Sequence, residues 1–387
     1  MRKIPLILGL LMPATVMAQT KGKAEIYNIY VPGSYTGEVP FVAKDIFAAV
    51  KYFADDTNKK GGLLGRRIEL IQQDDKANVV TALENAKIAI ADPNHLLTIG
   101  HNFSSIALPI GKHYASEGKL FMTPYATSSK ISEIGGTSFQ LCYNDTFQGQ
   151  TLGDVAFTRL KSKRVAVVTN QSDVYSQGLA EEFIKRINTL NGKSKSVEVK
   201  QINFINAMLE PKDIVKQIAE FKADLIFLPE NKMKAAELIR VFQESEVADV
   251  TILGADGWGS EHANIGMYFD KAKDNKKNPN YFYTYHWVSS IDTAVNKNYT
   301  KALTDAKGEK VYGPGVLTYE GLVHLANLAK QNKTADNRKL AGYIRGSSYT
   351  GTTGKVYFDS AGHTVRDLVL LKLGVEGLIV DSFVQPK

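Results

Sequence analysis

From Lys23 onward, short runs of β-branched and aromatic residues alternate with longer stretches in which apolar residues return every three or four positions. The short runs predict strands at Ala24–Val31, Arg67–Gln72, Leu96–Ile99 and Leu120–Met122. Between the first two, 41–58 sets Phe41, Ile46, Ala49, Val50 and Phe53 at helical spacing, and helices over 79–91 and 105–117 follow. Repeated βα units of this kind resolve most economically into a parallel sheet with helices on both faces.

A second cycle begins after Asn144-Asp145-Thr146. Helices are expected over 148–160, 178–190, 211–221 and 232–244, and strands over 164–168, 196–201, 225–228 and 251–254. Two similar doubly wound α/β sheets in tandem are therefore expected. From about Tyr281 the tail offers helices near 319–329 and 337–346 and strand pieces at 355–358 and 367–373. It is too short for a third domain, so its elements should complete the first two.

The N-terminus changes the picture. Arg2 and Lys3 precede an apolar run from Ile4 to Met12, and Val16-Met17-Ala18 supplies small residues at the cleavage positions. This reads as a secretory signal peptide, residues 1–18, cut after Ala18, with the periplasm as destination. No cysteine stands at the cut for lipid attachment, and no second run of that length exists.

Of 387 residues, 44% are hydrophobic and 22% charged, which supports large buried cores and excludes global disorder. The single cysteine, Cys142, excludes an intrachain disulfide framework and a cysteine-based zinc site. Formal charge is +7, the lysines are spread along the chain, and aromatic residues do not interleave with their short clusters, so nucleic acid is not an expected partner. There is no G-x-G-x-x-G, Walker A, H-E-x-x-H or G-x-S-x-G signature. The seven histidines form no i,i+4 pair on a predicted helix. No catalytic residue, metal ligand or cofactor is expected, and the chain does not read as an enzyme.

What remains is polar residues at the carboxyl ends of predicted strands, where open α/β sheets place ligands. Gly100-His101-Asn102-Phe103-Ser104-Ser105 opens a helix, and Thr123-Pro124-Tyr125-Ala126-Thr127 follows the next strand. Hydroxyls and free backbone amides there suit a carboxylate. Ser104 and Thr127 also fit as simple helix caps. In the second half, Gly254-Ala255-Asp256-Gly257-Trp258 puts a carboxylate beside a tryptophan, ready for an ammonium group or serving only as a turn aspartate. Tyr175 follows another strand and can face the same cleft.

These residues, together with Thr36-Gly37, Asn58 to Arg66, Asp74-Asp75, Tyr175 to Ala180 and Thr353 to Asp359 with Gly362, resemble periplasmic leucine/isoleucine/valine-binding proteins. These are the type I solute-binding proteins of ABC importers. The resemblance covers nearly all the chain after the signal peptide. It implies two lobes joined by a three-crossing hinge, with 23–144 and 289–366 in the first and 145–288 and 367–387 in the second. It further implies that Ser104 and Thr127 hold the α-carboxylate of an amino acid, and that the Tyr125 carbonyl and Asp256 hold its ammonium. Tyr175 matches a tyrosine that lines the pocket. The departures lie where the ligand side chain is read: Asn231 and Val42 stand at aromatic positions of leucine binders, and Ala77 and Phe103 replace a disulfide. Glu230, Asn231 and Trp258 either make the pocket more polar or reshape it for an aromatic acid, and Glu230 also fits on the surface. The expected function is capture of a small amino acid, branched-chain or related, by a monomer that delivers it to an ABC permease. The alternatives are the same fold with an amine-free carboxylate or small amide, a ligand-presenting sensor, or a secreted α/β enzyme.

Overall fold

Each predicted strand of the first half pairs in parallel with its neighbours, because the helices between them return the chain to the same edge of the sheet. The computed structural model describes residues 26–37, 40–192, 196–259, 280–308, 310–374 and 377–385. The signal peptide and the lysine clusters at 193–195 and 271–277 lie outside the described residues.

The first sheet contains β1 (Ile26–Gly33), β2 (Arg67–Asp74), β3 (His95–Ile99), β4 (Phe121–Thr123) and β5 (Ser138–Gln140), in the order β2-β1-β3-β4-β5. Every pairing is parallel. Helix α1 (Pro40–Lys59) buries Val42, Ile46, Ala49, Val50 and Phe53 against it. Helix α2 (Val79–Ala91) starts where the Asn78 side chain accepts from the amides of Val80 and Thr81. Helix α3 (Ser104–Ser116) and the single turn α4 (Ser129–Ser132) complete the first set.

The second set runs α5 (Asp145–Asp154), β6 (Arg164–Asn170), α6 (Val174–Asn191), β7 (Glu198–Phe204), α7 (Pro211–Phe221), β8 (Leu225–Phe227), α8 (Lys232–Gln243), β9 (Thr251–Leu253) and β10 (Tyr281–Tyr285). The parallel part of this sheet is ordered β7-β6-β8-β9-β10, the same winding as the first. In both sheets the strand order reverses direction beside the first strand of the set, which is where doubly wound folds bind ligands.

The tail does complete the two sets. Helices α9 (Ala294–Lys307) and α10 (Gly313–Gln331) pack on α1, where the buried Asp45 accepts from Lys307 Nζ at 3.0 Å and from the amides of Tyr312 and Gly315. Helix α11 (Asn337–Ile344) is tied to the first sheet by Asn337, which donates to the Leu96 carbonyl and accepts from the Leu120 amide. A small antiparallel sheet follows, with β11 (Ser348–Gly351), β12 (Gly354–Phe358) and β13 (Thr364–Val365). Of the last strands, β14 (Leu368–Gly374) adds antiparallel to β10 and β15 (Gly377–Val384) antiparallel to β14.

Four differences from the sequence reading have physical causes. Helix α5 starts three residues early because Asn144 accepts from the Phe147 amide, and it ends in a π turn at Val155–Arg159. Helix α9 was not expected; it follows a Thr293 cap, accepting from the Asn296 amide, but buries only Asn296 and Leu303 and so has little apolar periodicity. Strand β5 has only three residues, too few for a visible alternation. Strand β10 is buried on both faces, so it too lacks alternation, and it is the fifth strand of the second sheet rather than the start of the tail.

Between the sheets, a buried ion pair joins Glu320 of α10 to Arg366, with Arg366 Nη1 at 2.7 Å from Glu320 Oε1. The same nitrogen donates to the Leu141 carbonyl at 3.0 Å, and the Thr352 amide and hydroxyl donate to Glu320 Oε2. The pair therefore ties the chain just after β5 to the chain just before β14. Removing one partner leaves a buried charge uncompensated, which costs about 3–5 kcal/mol. Urea unfolding of Arg366→Met and of Glu320→Gln is expected to show losses of that order; unchanged midpoints would show that the pair adds nothing to stability.

Candidate functional site

The loops after β3 and β4 present one wall and those after β6, β8 and β9 the other. Ser104, Tyr125 and Thr127 of the first and Tyr175, Asn231 and Asp256 of the second line a single cleft with Asn102, Phe103 and Asp173. Its open space is only about 10 Å³, enough for roughly one water molecule, so entry of any larger ligand needs the walls to separate.

On the first wall, Ser104 is the first helical residue of α3 and not its cap; Phe103 takes the cap position and offers no side-chain acceptor. The first amides of α3 therefore remain available to an anion. Ser104 Oγ accepts from the Ser128 amide at 3.2 Å, which leaves its hydrogen free to donate. Thr127 caps nothing, since α4 begins at Ser129 behind a Ser128 cap. Its buried Oγ1 has no hydrogen-bond partner of normal geometry. The neighbouring Ala126 carbonyl is taken by Gln140 Nε2 at 2.7 Å and by the Cys142 thiol at 3.4 Å.

On the second wall, a turn aspartate would accept from its own following amides, but the Asp256 carboxylate reaches elsewhere. Oδ1 accepts from the Tyr175 hydroxyl at 2.9 Å and from Gln148 Nε2 at 2.7 Å, and Oδ2 faces His286 Nε2 at 3.2 Å. Burial lowers the His286 pKa against the pull of Asp256, so at neutral pH the ring is uncharged and donates from Nε2. Burial, then the Asp256 charge, raises the Tyr175 pKa and keeps its phenol a donor. Of about four acceptor positions on a carboxylate, three are filled and one on Oδ2 is open.

Two glycines permit this approach. A Cβ on Gly257 would sit 2.8 Å from the Glu230 carbonyl oxygen and 2.9 Å from the Tyr175 ring. One on Gly254 would fall 2.2 Å from the Trp258 indole. That second contact corrects the expectation for Trp258, which does not line the cleft. Its ring lies fully buried beneath the Asp256 loop, with Nε1 donating to the Leu228 carbonyl at 3.1 Å. Val42 is likewise a core residue of α1. Glu230 is not a surface residue either; it is 1% exposed.

Asn231 Nδ2 donates to Asp173 Oδ2 at 2.7 Å, joining the cap of α8 to the cap of α6. Gln148 and His286 are the supporting residues that the sequence reading missed. Gln148 sits on α5 and His286 just after β10, both far in sequence from Asp256, and no local pattern links them. Burial raises the pKa of Asp145, Asp173 and Glu230; the Asp256 charge adds to the first and Asp173 to the last, and Glu230 reaches about 8. Among the described residues no lysine or arginine pairs with any of these carboxyls or with Asp256.

A model of the periplasmic binding protein family matches residues 28–376. The chain belongs to that family. It is 24% identical over 357 residues to the Leu/Ile/Val-binding protein of Escherichia coli, covering 88% of each chain. It is 27% identical over 242 residues to an amino acid binding protein of Pseudomonas aeruginosa, a match that spans 62% of either chain. Among solved structures, the leucine binding protein LivK of Thermotoga maritima superposes with a TM-score of 0.79 at 20% identity, covering 93% of this chain and 99% of that one. A solute binding protein of an ABC transporter from Rhodopseudomonas palustris, in complex with 3,4-dihydroxybenzoic acid, gives 0.76 at 17%, covering 93% and 98%. The fold is that of the type I periplasmic binding proteins.

The raised Glu230 pKa has a sign. An unfolded glutamate titrates near 4.3. Between there and about 8 the folded protein holds the extra proton, so this group's contribution to stability is full at low pH and is lost as pH rises through about 8. Glu230→Gln removes that loss, and its melting temperature relative to the native protein is expected to climb between roughly pH 5 and pH 8.5. A constant difference would mean that Glu230 is already ionised at neutral pH.

Proposed function

We propose that this chain is a periplasmic solute receptor that captures a small amino acid between two lobes and delivers it to an ABC permease. The observation that carries the reading is the pairing of walls. The Ser104 and Thr127 hydroxyls and the uncapped start of α3 lie on one side, and the fixed Asp256 carboxylate with its open acceptor position lies on the other. An α-carboxylate takes the hydroxyls and amides, and an α-ammonium takes Asp256 and the Tyr125 carbonyl. Tyr175 holds Asp256 in place, and Asn231 faces the rest of the ligand.

In this reading the lobes are 23–144 with 289–366 and 145–288 with 367–387, and the hinge crosses near 145, 288 and 366. Ligand bridges both lobes, so it stabilises the closed arrangement only when present, and the permease reads that closure. The leader of residues 1–18 directs a monomeric protein to the periplasm. The Leu/Ile/Val-binding relatives support an amino acid as cargo.

A second reading, an aromatic acid without an amine, is favoured by the Phe103, Tyr125 and Tyr175 side chains in the cleft and by the dihydroxybenzoate-bound neighbour. Asp256 then accepts from a ligand hydroxyl. Calorimetry on protein refolded to strip carried-over ligand separates the two. Hydrogen bonds to charged groups contribute about 1.5–3 kcal/mol each, so Ser104→Ala, Thr127→Ala and Asp256→Asn are each expected to weaken an L-amino acid by roughly tenfold or more. Native affinity in Asp256→Asn, or binding of benzoates alone, would rule out the ammonium pairing.

A further inference from the structure

The cleft between the walls has no room for a bulky side chain, and Ala126 is the sole aliphatic residue that lines it among the described residues. It adjoins a cavity of about 730 Å³, the two sharing Phe103, Asp173 and Asn231 as walls. That cavity offers room for a long ligand side chain, past Asp173 and Asn231.

The inner wall of the cavity is acidic. Glu230 lines it, is 1% exposed, and its Oε1 has no hydrogen-bond partner. Asp173 lies beside it, close enough for the two carboxyls to repel. Lys234 and Arg240 of α8 also line this cavity, but among the described residues neither they nor Lys232 pairs with Glu230 or Asp173. Lys234 is tied to Glu237 at 2.6 Å, and Lys232 lies over the Phe41 ring at 5.1 Å. Across the cleft, Asn102 adds a buried carboxamide of which neither Oδ1 nor Nδ2 has a partner.

We propose that the ligand side chain ends in a cationic nitrogen, an ammonium or guanidinium, that docks against Glu230 and Asp173 in this adjoining cavity. The proposal rests on the amino-acid reading above and narrows its cargo to basic amino acids instead of branched aliphatic ones. Ser176, Asn170 and the Asn231 amide support part of the Glu230 carboxyl, and a donor-rich cation would satisfy the remaining Oε1 while cancelling the repulsion from Asp173. An aliphatic side chain in the same place would meet Phe103, Met233 and Val241 but leave Glu230 Oε1 without a donor. The direction of the Glu230 pKa agrees, since an arriving cation restores its ionised form.

The test is calorimetry near pH 7 on the refolded protein with L-lysine, L-ornithine, L-leucine and L-norleucine, the last matching lysine in carbon skeleton without the nitrogen. L-lysine or L-ornithine is expected to bind at least about tenfold more tightly than L-norleucine. Glu230→Gln is expected to erase about tenfold of that preference while leaving L-norleucine unchanged. L-leucine or L-norleucine binding as tightly as L-lysine overturns the proposal and leaves the amino-acid reading standing, as does an intact preference in Glu230→Gln. Binding of benzoate but of no L-amino acid overturns both. The comparison of ligands on the unaltered protein decides the matter even if the variant fails to fold.

Discussion

Burying the Asp256 carboxylate at the mouth of the second sheet is the constraint around which the site is organised. A charge removed from water to that degree costs several kcal/mol unless donors surround it. Its donors come from three separate parts of the chain: Gln148 on α5, Tyr175 on α6 and His286 beyond β10. Gln148 serves twice, since its Oε1 also accepts from the Asp256 amide at 3.0 Å and from the Thr284 hydroxyl. The Tyr175 hydroxyl likewise accepts from the Gly257 amide while donating to the carboxylate. Asp256 therefore fixes the mutual placement of two helices and a strand end, and they in turn fix the direction of its open acceptor position.

The two sheets share one winding, and this is why such a site exists between them. Each sheet opens a crevice at its own switch point, and the loops from both crevices meet in one narrow cleft. One wall offers hydrogen-bond donors and the other acceptors, so a zwitterion complements both at once. The connection between the sheets is anchored away from the cleft by Glu320 and Arg366, which hold the segments after β5 and before β14 together.

The second wall gathers more buried carboxyls than paired cations. Asp145, Asp173 and Glu230 are pushed toward protonation by burial, and no basic side chain among the described residues pairs with them. Under the reading proposed above, a ligand that brings positive charge makes the ionised wall favourable and couples recognition to closure.

The alternation of apolar runs was enough to place most helices and strands within a few residues, because periodicity reports which face of an element is buried. Strand-end placement also singled out Ser104, Thr127, Tyr175 and Asp256, and the family resemblance added Tyr125; all five line the cleft. Periodicity failed for β5, too short to show a period, and for β10, buried on both faces and hence without one. Three roles were decided only in three dimensions. Trp258 turns into the core because Gly254 leaves space for its indole. Gln148 and His286 reach Asp256 only because the winding of the second sheet brings α5 and the end of β10 together. Glu230 is buried because its strand end packs beneath α6, where Ser176, Asn170 and the Asn231 amide support it. The sequence by itself determined what is local, namely which residues pair with the next turn or the next face. Which distant groups share a desolvated cavity depends on the packing of whole elements, and no local pattern encodes that.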